Sequence, residues 1–333
     1  MSWLTDALQR LPEPDVVSAS ALRARADDIL RPSGALARLD DVAVHMAAWQ
    51  RTATPRVQRP AALVFAGDHG VAEHGGVSAY PTAVTAAMLA ACQQGKATIC
   101  VLARSVGATL ETIDVGVGRP TGDIRFEAAM TPQRFDEVVE QAVTALDALD
   151  TDLLVLGEIG IGNTTAAAAL AGSLLGDHPS TWVGRGTGVD DAGLARKVAA
   201  VAAVMERVAD VHDPIELMRE AGGAELTAMA AAAVAARLRS IPVVLDGYVV
   251  TSAVLPLHVA VPGALDHCIV GHCSAEPGHR KVLDAIGKPV LLDLGMRLGE
   301  GSGAMVAVPI IRAACDAVVE VATFAEWFGQ ANG

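Results

Sequence analysis

A chain of 333 residues can bury one large core, or a main domain with a smaller partner. Apolar residues make up 52% of it and aromatics only 3%, which excludes disorder and favours small-residue helices packed on a sheet. A formal net charge of −13 excludes a broad nucleic-acid or anionic-membrane surface, so an anionic ligand would rely on local backbone donors and one or two cations.

Met1 to Arg10 has no basic start followed by an apolar run, so no secretory signal is read there and a cytoplasmic location is expected. The first 60 residues pattern as amphipathic helices, with a breaker at Pro32 to Gly34 and a loop from Thr52 to Pro60. Short apolar runs then alternate with longer helical ones. The expected strands are Ala61–Phe65, Thr109–Val115, Leu153–Leu156, Pro242–Asp246, Cys268–Gly271 and Val290–Leu292. Several are continuously apolar, as in strands covered on both faces, and Glu225–Leu238 is the clearest crossover helix. This alternation predicts an α/β fold with a doubly wound, mostly parallel six-stranded sheet. The run after Gly303 again reads as helix. With the N-terminal helices it is expected to form a small helical domain (1–60 plus 304–333) beside an α/β domain over 61–303.

The 19 residues between Asp246 and Asp266 carry no Asp, Glu, Lys or Arg, but Pro256, His258, Pro262 and Gly263 interrupt them. A buried strand–helix segment fits better than a bilayer span. The five cysteines (Cys92, Cys100, Cys268, Cys273 and Cys315) lack C-x-x-C spacing and read as reduced thiols. His267-Cys268 and His272-Cys273 do not have a standard zinc spacing, no metal is expected, and no G-x-S-x-G elbow occurs.

Ligands of such sheets gather beyond the carboxyl ends of the strands. There, Gly157-Glu158-Ile159-Gly160-Ile161-Gly162-Asn163-Thr164-Thr165 precedes an Ala-rich helix. Its glycines permit close backbone approach, and Asn163, Thr164 and Thr165 suit a helix N-terminus that holds phosphate. A plain glycine turn with an ordinary cap fits that spacing equally well. The segment has neither a Walker lysine nor G-x-G-x-x-G, which makes a dehydrogenase the weakest option. A second loop, Gly184-Arg185-Gly186-Thr187-Gly188, precedes Lys197, which reads either as a phosphate cation or as a solvated lysine. Glu300 follows the last apolar run among small residues; it is either a partly desolvated proton acceptor or a helix-capping carboxylate.

Together these blocks resemble the nicotinate-nucleotide–dimethylbenzimidazole phosphoribosyltransferase family. The resemblance also rests on Arg31-Pro32-Ser33-Gly34-Ala35-Leu36, Gly67-Asp68-His69-Gly70-Val71 and Gly76-Val77-Ser78-Ala79-Tyr80-Pro81. It continues through Leu245-Asp246-Gly247-Tyr248, Ser274-Ala275-Glu276-Pro277-Gly278 and Met296-Arg297-Leu298-Gly299-Glu300-Gly301-Ser302-Gly303-Ala304. The blocks at 157 and 297 are the most specific. The resemblance implies transfer of phosphoribose from nicotinate mononucleotide to 5,6-dimethylbenzimidazole or a related base, with inversion and Glu300 as general base. It assigns Glu158, Gly160, Gly162, Asn163, Thr164 and Lys197 to the nucleotide and its phosphate. Ser78, Tyr80, Met88 and Leu298 are assigned to the walls of the base pocket. It implies a homodimer and no cofactor. Tyr80 and Met88 replace small or amide-bearing residues of some members, and Ala35 and Ala37 replace the usual Ser and Gly. The stretch Arg119 to Met130 is shorter than in some relatives. A hydrolase in which Glu300 activates water, and a non-catalytic nucleotide sensor, are the alternatives.

Overall fold

The computed structural model describes residues 3–329; positions 1–2 and 330–333 of the expected terminal helical domain lie outside the described residues. Six strands form one sheet: β1 (Pro60–Gly67), β2 (Thr109–Gly116), β3 (Leu153–Ile159), β4 (Val243–Leu245), β5 (Cys268–His272) and β6 (Val290–Leu292). Their order is β2-β1-β3-β4-β5-β6 and every pairing is parallel. The doubly wound α/β reading therefore holds, with a wholly parallel sheet.

The continuous apolar runs have a simple cause. On β1, Ala61, Leu63 and Phe65 enter one buried cluster, while Ala62, Val64 and Ala66 enter the other. Both faces of the strand are covered, so both sets of alternating side chains must be apolar. One face carries the helices Asn163–Leu175, Ala224–Leu238 and Tyr248–Ala260. The last of these is the charge-free stretch, and its residues through Leu257 are buried in protein. Alanines of Ala224–Leu238 are nearly all inaccessible, and their small side chains bring that helix close to the strands.

Helices Val16–Asp28, Arg38–Gln50 and Ser302–Val319 cover the opposite face. Ser302–Val319 is long and apolar enough to cross a bilayer by length and composition. Instead, Met305, Val308, Ile311 and Cys315 pack with Val155 and Val244 of the sheet and with Leu22 and Met46 of the other two helices. The chain ends are joined where Arg25 donates to the carbonyls of Val318 (3.0 Å) and Val319 (3.2 Å), a cation on the last carbonyls of a helix. The short helix Trp3–Leu8 instead puts Leu4, Ala7 and Leu8 into the cluster beneath Ala224–Leu238.

The strand order reverses between β1 and β3, so the loops leaving these strands diverge and open a crevice at their carboxyl ends. Beneath it, His69 and Glu225 form a hydrogen-bonded pair at 2.5 Å, both fully buried. The Glu225 carboxylate packs among Gly67, Gly160 and Gly223, where a Cβ would lie 2.9–3.0 Å from its oxygens. Only glycines at the ends of β1 and β3 leave room for that carboxylate. Glu225→Ala, which strands the buried His69 ring without its partner, is expected to cost about 1–3 kcal/mol in urea unfolding.

Candidate active site

The crevice holds a cavity of about 560 Å³, within the range of small-molecule sites. Its lining comes from the ends of β3 (Glu158 to Gly160), β4 (Asp246, Gly247), β5 (His272, Ser274, Glu276) and β6 (Arg297 to Glu300). Tyr80, Val84 and Met88, reached from β1, close one side.

Glu300 has φ +62° and stands between Gly299 (φ +91°) and Gly301 (φ +82°). A glutamate in the left-handed region is uncommon and persists only where its surroundings impose it. Here the imposing contact is Gly157: a Cβ there would strike the Glu300 carbonyl group. The tight run of left-handed residues turns the Glu300 side chain inward, where only 7% of the residue remains exposed. Burial raises its pKa; the Ile99 N–H, donating to Oε2 at 3.4 Å, works against that, and the charge of Asp246 adds to it.

Glu158 lies in β3 itself, because that strand runs past the expected boundary at Leu156 to Ile159. It accepts a hydrogen bond from the Asn163 amide, and Gly299 passes against its Oε1. Burial, then the charges of Asp246 and Glu225, push its carboxyl far above the ordinary range, and the Asn163 bond offsets only part of this. Glu158 therefore favours the neutral form more strongly than Glu300 does.

Behind the cavity-lining Thr164, Lys197 is 2% exposed and donates to Thr164 Oγ1 at 2.9 Å. Burial lowers its pKa, and the carboxylate of Glu276 opposes the shift. Gly186 packs against both groups: a Cβ there would lie 2.9 Å from Lys197 Nζ and 3.1 Å from Thr164 Oγ1. Arg297 holds the Gly186 carbonyl at 2.9 Å, and Glu276 accepts from the Gly186 N–H at 3.2 Å. An ammonium, a hydroxyl and a glycine backbone thus converge near the start of helix Asn163–Leu175, a setting that favours anions.

A family model described as phosphoribosyltransferase matches residues 11–327. The chain is 48% identical over 332 residues to the nicotinate-nucleotide–dimethylbenzimidazole phosphoribosyltransferase of Novosphingobium aromaticivorans, covering 98% of this chain and 96% of that protein. It is 46% identical to the protein of the same name from Roseobacter denitrificans, again over 98% and 96%. The crystal structure of CobT from Thermus thermophilus superposes with a TM-score of 0.89 at 39% identity, covering 94% of this chain and 98% of that one. The chain belongs to the nicotinate-nucleotide–dimethylbenzimidazole phosphoribosyltransferase family. It is a transferase.

Of the residues assigned by resemblance to this family, Tyr80, Met88, Glu158, Gly160, Asn163, Thr164, Leu298 and Glu300 line the cavity. Three do not. Lys197 stands behind Thr164, Gly162 is the N-cap of helix Asn163–Leu175 with φ +101°, and Ser78 pairs with the Thr187 hydroxyl at 3.2 Å. Tyr80 and Leu298 are more than half exposed at the rim. Sequence reasoning gave no role to Asp246 or His272, which face each other at 3.2 Å in the cavity lining. Asp246 stood in one of the blocks that carry the resemblance and His272 in a His-Cys pair without metal spacing, but nothing in the sequence joined the two. His267 points elsewhere, its Nε2 2.9 Å from the Ala233 carbonyl. Gly157→Ala, which forces the Glu300 loop away from β3, is expected to destabilise the protein by about 1–3 kcal/mol in urea unfolding.

Proposed function

We propose that the chain transfers the phosphoribosyl group of nicotinate mononucleotide to 5,6-dimethylbenzimidazole or a related base, with Glu300 as general base. The products are α-ribazole 5′-phosphate and nicotinate, with inversion at the anomeric carbon. The observation that carries this reading is the Glu300 carboxyl, buried by its left-handed loop at a cavity that Thr164 and Gly186 also line, with Lys197 behind them. The relatives' names supply the two substrates.

Electron accounting fits one base and no general acid. One benzimidazole nitrogen attacks the anomeric carbon as the bond to the pyridinium nitrogen breaks. The bonding pair returns to that ring and neutralises it, so nicotinate leaves without a proton. The acceptor ring becomes cationic unless its N–H is removed, and Glu300 takes that proton. Phosphate is held at the Lys197–Thr164–Gly186 end, while Glu158, Gly160, Gly162 and Asn163 form the ribose side. Tyr80, Met88 and Leu298 offer apolar faces to the acceptor ring, and Ser78 braces the Thr187 loop beside them. Fixing the two rings in line supplies much of the remaining acceleration.

Nicotinate release from the mononucleotide should depend on added dimethylbenzimidazole; release at the same rate without it would favour the hydrolase reading. Glu300→Gln should lower kcat by about 10²-fold or more with modest change in nucleotide KM. Lys197→Ala should chiefly raise that KM. The wild-type rate needs ionised Glu300, whose pKa burial raises, so activity should fall through a limb above 4.5 as the medium is acidified. That limb should vanish in Glu300→Gln.

The same reading includes a cytoplasmic homodimer that associates through the small helical domain expected over 1–60 and 304–333, from which Trp3–Leu8 departs by docking on the opposite face of the sheet. Leu30, Phe324, Trp327 and Phe328 support it, as exposed apolar side chains on neighbouring terminal segments. Sedimentation of the purified chain should give twice the monomer mass, and charged replacements at Trp327 and Phe328 should reduce it.

A further inference from the structure

The helix Ser302–Val319 begins two residues after Glu300, and its N-cap is Gly301, which has no side chain to offer the first turn. The missing acceptor comes from another strand. Asp246, just beyond β4 and 1% exposed, accepts the Ala304 N–H on Oδ1 at 2.8 Å. The same oxygen faces His272 Nε2 at 3.2 Å, and the imidazole, 2% exposed, lies against Gly303, where any Cβ would collide with the ring. Carboxylate and imidazole therefore seat the turn that follows Glu300. From this arrangement we propose that Asp246 and His272 are a positioning pair: they fix the Glu300 loop, and protonated His272 balances the charge of Asp246 so that Glu300 can remain ionised. This rests on the reading of Glu300 as base.

The balance follows from the charges around each group. Glu300 is faced by Asp246 from β4, the Cys92 thiol from helix Ala83–Gln93 and the Ile99 N–H from helix Thr98–Val106; Glu158 of β3 lies across the same cavity. Burial pushes Cys92 up to about 12, so it stays neutral, and Glu158 favours its neutral form. Asp246 is then the negative charge that Glu300 must tolerate. His272 is faced by Asp246, by Asp293 and by the ring of His279, 6.4 Å away between centroids. Burial holds His279 neutral, down to about 3, and Asp293 is paired with Arg280 at 2.8 Å. Burial also works to lower His272, but the hydrogen bond and charge of Asp246 outweigh it and leave its pKa raised.

The sign is fixed by these placements. A neutral residue at 272 leaves Asp246 uncompensated beside Glu300, which disfavours the Glu300 carboxylate. The acid limb of kcat should then move to higher pH. With asparagine at 246 there is no charge to compensate, and residue 272 should lose its influence. The experiment is the pH profile of nicotinate release for wild type, His272→Gln, Asp246→Asn and the double variant, with the folded state of each checked by thermal unfolding. Both single variants keep hydrogen-bonding groups of similar reach, and the amide introduced by Asp246→Asn still offers an oxygen to Ala304. His272→Gln should raise the limb by about one pH unit, the scale set by one nearby charge. The same change in the Asp246→Asn background should leave the limb where it was, the coupling expected of residues acting as a unit. An unmoved limb in His272→Gln, or an equal rise in both backgrounds, overturns the pair. A limb that persists in Glu300→Gln overturns the base assignment and the proposal with it.

Discussion

The close approach of the Glu300 peptide to Gly157 is the contact on which the cavity is built. A strand residue with no side chain lets a loop from beyond β6 lie directly on β3, although β4 and β5 stand between the two strands in the sheet. That crossing carries Gly299 against Glu158 and sets Glu300 on the same cavity. It also forces three successive residues into the left-handed region, a conformation that two glycines tolerate and one glutamate is made to adopt.

A second constraint is electrostatic. Asp246, Glu158, Glu225 and Glu300 gather near one another at low exposure, in a chain that already carries a net charge of −13. Such a group cannot be wholly ionised without compensation. Each member has its own device: an Asn163 amide and a shift toward the neutral form for Glu158, His69 for Glu225, Ala304 and His272 for Asp246, the Ile99 N–H for Glu300. Differences among these devices put neighbouring carboxyls into distinct electrostatic settings.

The central strands were legible because a sheet covered on both faces turns alternation into unbroken apolar runs; the edge strand Thr109–Gly116 keeps its polar alternation, and Val290–Leu292 was bounded as it stands. The end of β3 was misread because Glu158 interrupts the apolar run; the strand tolerates it there only because Asn163 bonds to it. Helix Trp3–Leu8 reads like its neighbours but docks on the opposite face of the sheet, a choice that no local pattern records. Spacing alone left Lys197 a solvated lysine or a cation, and the resemblance singled it out. The Asp246–His272 pair was invisible for a different reason. It depends on β4 lying beside β5 with Leu245 level with Val270, a register that neither segment encodes by itself.

The Ala224–Leu238 helix behind the sheet has a consequence for how such a protein can change. Its alanines are packed so closely that any larger side chain would wedge the layers apart, and Glu225 at its head is locked among glycines. The rear wall is frozen by its own economy of volume. Tyr80 and Leu298, by contrast, stand more than half in solvent at the mouth, where replacement disturbs no packed layer. A change in what the mouth admits can therefore be made at these two rim positions without disturbing the layers that hold the carboxyls.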